Sequence, residues 1–317
     1  MNRVIWRLHR NQALFAAIGL AAATPVIVIS GLSVAHAYHL LRTCAATASC
    51  AAVPYISEGN GLVNRLVAAS ILVLPGLLAL FWGVPLVAKE LEEGTHVLAW
   101  TQSVTRRRWI MTNIGWALLA AATLGAVMSG LVTWWRTPTN DLYGRLGQAF
   151  DIQGFVPVAY CVFGVALGIA AGVLLKRVLP ALALTLGALV VARGAVAIYL
   201  RSHLLAPVSF TARGTPDLSP QFTRYPTLAR AWLLSERVVN ASGTTVPRGW
   251  VPRACSSVTK GMVGDSGCMA AHGYKTVFVY QPDSRFWSLQ AMESLLFLAL
   301  AILVLGLAYR ALSRRDA

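Results

Sequence analysis

The side chains that could carry chemistry are few and lie far apart along the chain. His36, His39, His203 and Glu293 are the titratable groups that an enzyme could use. The chain lacks G-x-x-x-x-G-K-[ST], G-x-S-x-G and H-E-x-x-H, the motifs that hold nucleotide phosphates, a nucleophilic serine or a catalytic zinc. His36 and His39 are three residues apart without a third ligand in their sequence. We therefore predict no catalytic residue and no metal site.

The five cysteines are unevenly distributed. Cys44, Cys50, Cys255 and Cys268 lie in polar segments, whereas Cys161 lies in an apolar run and is expected to pack there. In an oxidising compartment, the spacing allows the disulfides Cys44–Cys50 and Cys255–Cys268. Free thiols, or pairing between the two segments, are the alternatives.

The composition is typical of a polytopic membrane protein. Of the 317 residues, 56% are hydrophobic and only 12% are charged, whereas a soluble domain has about 25% charged residues. The formal net charge of +15 could suggest a nucleic-acid partner. The basic residues lie between apolar runs instead of along one face with aromatic side chains, so we predict no nucleic-acid binding.

Six apolar runs are each long enough to cross a bilayer, which predicts an all-α fold with six transmembrane spans. The segment 201–287 is too long for a structureless loop, so it predicts a small mixed extracellular subdomain. Within it, Pro226 could begin a helix with Leu228, Trp232 and Val239 on one face, and Lys275–Tyr280 is typical of a strand. The predicted domains are an amphipathic interfacial helix at 1–12, spans 1–5 at 13–200, the subdomain at 201–287, and span 6 with a cytoplasmic tail at 288–317.

A charged connector at 89–108 joins predicted spans 2 and 3 and determines the topology. Its consecutive Arg106, Arg107 and Arg108 predict a cytoplasmic location, because basic residues in short loops resist translocation. The connector between spans 4 and 5 and the tail after span 6 are also basic. Both termini are therefore predicted in the cytoplasm, and the subdomain is predicted outside.

Two residues of opposite charge lie inside the predicted spans, Arg193 in span 5 and Glu293 in span 6. Their distances from the span ends put both at a similar depth below the outer boundary. Because an unpaired charge in the membrane is costly, we predict that they form an ion pair. The alternatives are that Arg193 extends to the interface while Glu293 lines a wet vestibule, or that Glu293 pairs with Arg65.

Glycines recur at four-residue spacing in predicted span 4, at Gly164, Gly168 and Gly172. Such a face of small residues allows two helices to approach closely. We therefore predict a tight seam there, either within the subunit or between subunits. The alternative is that these glycines only reflect the high frequency of small residues in membrane helices.

Three sequence blocks together resemble the membrane subunits of type-2 ATP-binding-cassette (ABC) exporters of the actinobacterial group. They are W-R-x-H-R at 6–10, the block at 83–109, and Arg285-Phe286-Trp287 followed by Gln290 and Glu293. The resemblance implies that 1–12 is the interfacial connecting helix and that the connector contains a coupling helix docking on an ATPase. The implied coupling residues are Lys89, Glu90, Glu92, Glu93, Gly94, Thr95, Arg106, Arg107 and Arg108.

The resemblance also implies the partners. These are separate ABC ATPase subunits that bind ATP and Mg²⁺, and a second permease as a homodimer or a related chain, in contact with membrane lipids. We therefore predict a permease subunit in the bacterial plasma membrane that exports a hydrophobic or amphipathic drug, antibiotic, peptide or lipid. The alternatives are a non-transporting sensor or assembly factor that uses 201–287, and a membrane-embedded enzyme acting at the outer face.

Overall fold

The computed structural model describes residues 2–44, 61–92, 106–216, 225, 228, 230–247, 250–255 and 266–313. Within them, six helical segments are long and apolar enough to cross a membrane, which confirms the predicted all-α polytopic fold. They are numbered here as spans 1 to 6: Gln12–Leu40, Gly61–Lys89, Met111–Tyr143, Val156–Leu175, Val178–His203 and Asp283–Ala311.

The α-helices are Asn2–Cys44, Gly61–Leu78, Pro85–Glu92, Arg106–Tyr143, Val156–Leu175, Val178–Ala195, Ser266–Ala271 and Phe286–Ser313. A single π-helical turn, Ala79–Gly83, follows the helix Gly61–Leu78, and another, Val196–Leu200, follows the helix Val178–Ala195. The 3₁₀ turns are Gly147–Ile152, Arg201–His203, Arg253–Cys255 and Asp283–Arg285. Residues 2–12, predicted as a separate interfacial helix, continue without a break into span 1.

The chain forms two compact units. The first, which we call the helical unit, consists of Met1–Thr137, Asp151–Ala197 and Gln290–Ala317. The second, which we call the sheet unit, consists of Pro138–Phe150 and Ile198–Leu289. The sheet unit therefore contains more than the predicted subdomain, because residues 138–150, which are the end of span 3 and the segment after it, belong to it.

In the helical unit, span 2 changes its helical pitch around Pro85. The Val84 N–H donates to the Ala79 carbonyl at 2.9 Å, which makes the turn Ala79–Gly83 one residue wider than an α-helical turn. Pro85 has no N–H to offer the Phe81 carbonyl. The side chain of Gln12 in span 1 donates to that carbonyl instead, at 3.1 Å. The proline is thus accommodated in lipid by a neighbouring helix.

The predicted glycine face of span 4 lies against span 2. A Cβ added to Gly164 would come within 2.7 Å of the Pro75 carbonyl oxygen, and one added to Gly168 within 2.8 Å of the Ala79 carbonyl oxygen. A Cβ added to Gly172 would lie 3.2 Å from the Ala88 nitrogen. The three glycines therefore allow backbone-to-backbone contact between spans 2 and 4 within one subunit. We call this contact the glycine seam.

A second group of contacts packs spans 1, 2 and 3 together. The Trp135 indole N–H donates to the Ser30 hydroxyl at 3.0 Å, so the buried indole has a polar partner. Around this pair lies an apolar cluster of fully buried side chains. Its members are Ile27, Val67, Ile71, Met128, Val132, Trp135 and Ile152.

The sheet unit contains four antiparallel strands in the order β1-β4-β2-β3: β1 Val208–Arg213, β2 Trp232–Val239, β3 Thr245–Val246 and β4 Lys275–Gln281. The predicted strand at 275–280 is therefore confirmed. Ala212, Leu228 and Phe278 form its buried core. Outside the strands, Arg145 binds Asp283 through its backbone N–H and its guanidinium, at 2.8 and 3.0 Å, which joins residues 138–150 to the rest of the unit.

The prediction of a helix from Pro226 to near Asn240 is wrong. Trp232 and Val239 belong to β2, which pairs along its length with β4. Their seven-residue spacing fits one face of a helix, but aromatic and β-branched residues also favour strands, and pairing with a distant strand decides between the two. Asn240 and Gly243 form the turn between β2 and β3, in which Gly243 has φ +82°.

The glycine seam predicts a large effect of one side chain. In Gly168→Val, the new side chain must displace backbone atoms, so we expect the free energy of unfolding to fall by about 1–3 kcal/mol. The measurement is the midpoint of SDS-induced unfolding of the purified protein in detergent. The matched control is Gly187→Val in span 5, where an added Cβ would meet no atom within 4 Å. Equal midpoints for the two variants would contradict the seam.

Candidate functional site

A group of polar side chains lies inside the apolar helices of the helical unit. Its centre is Tyr160 of span 4, which is buried. The Tyr160 hydroxyl lies 2.8 Å from a carboxylate oxygen of Asp151 and 2.5 Å from one of Glu293. Glu293 is also fully buried. We call Asp151, Tyr160, Arg193, Gln290 and Glu293 the polar node.

Arg193 of span 5 contacts the same tyrosine on its ring face. The guanidinium carbon lies 4.3 Å from the Tyr160 ring centroid, which is within the range of a cation–π interaction. The guanidinium also donates to the Leu72 carbonyl of span 2 at 2.8 Å. Arg193 thus connects span 5 to spans 2 and 4, and its charge faces an aromatic ring and a backbone dipole.

Gln290 fixes the beginning of span 4. Its side-chain oxygen accepts hydrogen bonds from the backbone N–H groups of Phe155 and Val156, at 2.9 and 2.8 Å. The first N–H groups of a helix have no partner within the helix, so a side chain from span 6 acts as the cap. Gln290 is fully buried, as this role requires in lipid.

Two hydroxyl groups of span 3 hold Gly154, which lies two residues before this helix. Ser129 donates to the Gly154 carbonyl, and the Gly154 N–H donates to the Thr133 hydroxyl at 3.0 Å. Gly154 has φ +76°, and a Cβ there would come within 2.7 Å of the Gln290 side-chain oxygen. Glycine is therefore required both by the backbone conformation and by the cap.

Aromatic packing fixes the orientation of the Tyr160 ring. Phe297 of span 6 contacts Tyr160 edge to face with ring centroids 4.8 Å apart, and contacts Phe163 at 5.3 Å. Such edge-to-face pairs prefer a defined geometry. The hydroxyl is consequently held towards the two carboxylates while the ring face remains available to Arg193.

The polar node brings together both predicted intramembrane charges. Arg193 contacts the ring of Tyr160 and Glu293 contacts its hydroxyl, so the tyrosine joins the two residues. The direct ion pair between them stays a prediction. The sequence analysis missed Asp151 and Tyr160, although a tyrosine hydroxyl inside an apolar span was a usable signal, since buried polar groups in membranes need partners.

Residues 89–92 and 106–108 of the connector are described. The Glu92 carboxylate accepts a hydrogen bond from the Val178 N–H, the first residue of the helix in span 5, at 2.9 Å. Lys89 is exposed. The backbones of Glu90 and Arg106–Arg108 are helical, whereas their side chains and all of Glu93, Gly94 and Thr95 lie outside the described residues. Coupling to an ATPase through the connector stays a prediction.

The sheet unit contains the disulfide Cys255–Cys268, with Cα atoms 5.7 Å apart. The other proposed bridge, Cys44–Cys50, stays a prediction, because Cys50 lies outside the described residues. Cys161 is a buried free thiol. His272 stands beside the bridge, with Nδ1 3.8 Å from the Cys255 sulfur and 3.7 Å from the Cys268 sulfur. The sequence analysis missed this histidine, although it follows Cys268 at the four-residue spacing that shares one helix face.

A family model described as "ABC-2 membrane transporter related" matches residues 17–201. The chain belongs to this family. No curated protein and no solved structure matches the chain. The match covers spans 1 to 5 almost completely, and with them the glycine seam, Asp151, Tyr160 and Arg193.

Membership in the ABC-2-related family makes the chain a multi-pass membrane subunit of a transporter. The family is a membrane subunit type without ATPase motifs of its own, in agreement with the absence of a phosphate-binding loop from this sequence. Within the matched region, Arg193 connects span 5 to spans 2 and 4, and Glu92, just after span 2, contacts the beginning of span 5. The polar node and the Glu92 contact are therefore the candidate functional site of this ABC-2-related chain.

The polar node predicts a specific effect of the Tyr160 hydroxyl. Tyr160→Phe keeps the ring that contacts Arg193 and Phe297 but removes the donor for two carboxylates. Because a hydrogen bond to the buried Glu293 carboxylate is lost, the free energy of unfolding should fall by about 1–3 kcal/mol. SDS-induced unfolding measures this, with Tyr199→Phe, at a side chain that is 73% exposed, as the control. A Tyr160→Phe midpoint equal to that of the parent would show that the hydroxyl contributes nothing.

A charge swap distinguishes contact through Tyr160 from a direct ion pair. If Arg193 and Glu293 formed only a direct pair, Arg193→Glu together with Glu293→Arg would recover the folded yield that each single change lowers. The Tyr160 geometry predicts no recovery, because a carboxylate at position 193 would face the negative ring face. The yield of monodisperse protein on size exclusion measures this. Recovery to near the parent yield would favour the direct pair.

Proposed function

We propose that this chain is the permease subunit of an ABC exporter in a bacterial plasma membrane. Two permeases, identical or related, would line the pathway, and separate ATPase subunits would bind ATP and Mg²⁺ and supply the energy. The observation that carries the proposal is the family match across spans 1 to 5 in a chain that lacks its own phosphate-binding loop.

The proposed orientation follows from the basic residues. The connector 89–108, the turn at Lys176 and Arg177, and the tail after span 6 are basic and would face the cytoplasm. The sheet unit would then lie outside, where an oxidising environment supports its disulfide. The connector is on the side where a cytoplasmic ATPase could dock.

We propose that the described contacts carry movement from the connector into the spans. A displacement of Glu92 would reach the beginning of span 5 directly through the Val178 N–H. The glycine seam has no intervening side chains to absorb a shift of span 2, so span 4 would follow it. At the polar node, Arg193 and Glu293 would extend this movement to spans 5 and 6.

The cargo is proposed to be hydrophobic or amphipathic, and an open apolar face of span 1 supports this. The face is formed by Ala17, Leu20, Ala21, Thr24, Pro25 and Val28 of one helix. Pro25 offers no N–H to the Ala21 carbonyl, so this otherwise apolar face carries a hydrogen-bond acceptor. An amphipathic molecule would contact both features.

The test is co-expression with candidate ABC ATPases from the same genome, beginning with any that is encoded beside this chain, followed by purification and reconstitution in nanodiscs. An exporter should copurify with the ATPase and show ATP hydrolysis that rises with amphipathic compounds. A sensor or assembly factor would bind partners without compound-stimulated hydrolysis. A membrane-embedded enzyme would modify a substrate without any ATPase. Absence of ATPase copurification under conditions that keep the chain folded would overturn the proposal.

The Glu92 contact allows docking and capping to be separated. Glu92→Gln keeps an oxygen that can accept from the Val178 N–H, so this variant should fold and couple almost normally. Glu90→Lys with Glu93→Lys should fold but lower ATPase affinity by about tenfold or more, equivalent to roughly 1.4 kcal/mol. Affinity is measured by titrating purified ATPase onto the permease in nanodiscs. Unchanged affinity of the double lysine variant would contradict ATPase docking at the connector.

A further inference from the structure

Three potential metal ligands meet at one corner of the sheet unit. Cys255 is buried in the 3₁₀ turn Arg253–Cys255, and Cys268 is half-buried on the short helix Ser266–Ala271. His272 follows that helix with an exposed ring. Their ligand atoms all lie within 4.8 Å of one another. Two sulfurs and one imidazole form a common zinc-binding set in proteins.

Two of the three ligand-to-ligand distances already fit a tetrahedral zinc centre, and the third requires the disulfide to open. Zinc–sulfur bonds of about 2.3 Å and zinc–nitrogen bonds of about 2.0–2.1 Å give a sulfur-to-nitrogen edge of roughly 3.6 Å. The observed distances from His272 Nδ1 to the two sulfurs are 3.7 and 3.8 Å. The corresponding edge between two sulfurs is roughly 3.8 Å. Opening a disulfide to that distance moves the sulfurs apart by less than about 2 Å, within the reach of side-chain rotation.

The histidine can become a ligand without leaving an unsatisfied backbone group. His272 Nδ1 lies 2.9 Å from the Cys268 carbonyl, which the ring can use as a hydrogen-bond acceptor. The same carbonyl also accepts from the His272 backbone N–H at 3.1 Å. If Nδ1 binds a metal instead, this carbonyl retains its backbone donor, and Nε2 carries the ring proton.

We propose that reduction of the Cys255–Cys268 disulfide by a dithiol creates a three-ligand Zn²⁺ site formed by Cys255, Cys268 and His272. The dithiol gives two electrons and two protons, becomes a cyclic disulfide and leaves two protein thiols. Zn²⁺ then binds both sulfurs as thiolates, and the two thiol protons go to solvent. A water molecule completes the tetrahedron. The site and the disulfide exclude each other, and neither depends on the transport function.

The experiment uses the full chain in detergent with Co²⁺ alone as the probe. In tetrahedral thiolate sites Co²⁺ replaces Zn²⁺ and produces a sulfur-to-cobalt charge-transfer absorption. The background carries Cys44→Ser, Cys50→Ser and Cys161→Ala, so that other thiols give no signal. The protein is reduced with a dithiol, freed of the dithiol by gel filtration without oxygen, and titrated. An unreduced sample serves as the reference.

We expect one Co²⁺ per reduced chain, with the absorption displaced by one equivalent of Zn²⁺, and none in the unreduced sample. In Cys255→Ser and in Cys268→Ser, one thiolate is missing, so the charge-transfer absorption of the two-thiolate Co²⁺ site should be lost. His272→Ala should weaken affinity by at least about tenfold, because even groups that only support metal ligands contribute 10–100-fold. The matched control His203→Ala, in the same unit, should bind normally.

Folding of each variant is checked by size exclusion and by protection of the apolar helices from proteolysis. As an independent measurement, Zn²⁺ should slow alkylation of Cys255 and Cys268 in the reduced parent, as followed by mass spectrometry. The proposal is overturned if the reduced parent shows no charge-transfer absorption. It is equally overturned if His272→Ala binds Co²⁺ as tightly as the parent, since the cysteines would then act without the histidine.

Discussion

A missing hydrogen-bond donor at Pro85 is the constraint around which the helical unit is built. Inside a bilayer, backbone carbonyls cannot turn to water, so span 2 must satisfy its own groups or borrow partners. It does both, with a widened turn at Ala79–Gly83 and a hydrogen bond from Gln12 to the Phe81 carbonyl. The widened turn carries Gly83, whose missing side chain permits contact with the Gly168 backbone. The widened turn and the glycine seam therefore meet where Gly83 contacts Gly168.

The polar node meets a second requirement of the bilayer, which is that charged side chains inside it need interaction partners. Glu293 alone in span 6, or Arg193 alone in span 5, would be costly to insert. Tyr160 serves both, because its hydroxyl is a donor and its ring face is electron-rich. The hydroxyl carries one proton and faces two carboxylates, so Asp151 and Glu293 share one donor. If one span that contacts Tyr160 changed its position, the contacts of Tyr160 with the other spans would therefore change too.

The sequence predicted the features that depend on composition and on local spacing. Six spans follow from apolar length, and the Gly164, Gly168 and Gly172 repeat marks a face of small residues without revealing that span 2 covers it. What the sequence could not supply are contacts between distant positions. Glu92 caps a helix that begins 86 residues later. The segment of β2 was predicted as a helix from the spacing of its apolar residues. Its partner strand β4 follows only after a long intervening segment, and the spacing within β2 does not reveal that the two strands pair.

The sheet unit is assembled from two separate segments of the chain. The chain passes between the two units four times, because Pro138–Phe150 and Ile198–Leu289 both belong to the sheet unit. These pieces are held to each other by Arg145 with Asp283 and by Arg201 on the Phe150 ring at 4.3 Å. The ends of spans 3, 4, 5 and 6 are therefore linked covalently to one folded unit. A movement that separated these ends would therefore strain the connecting residues or the contacts within the sheet unit, which ties the two segments of that unit to the four spans through the covalent chain alone.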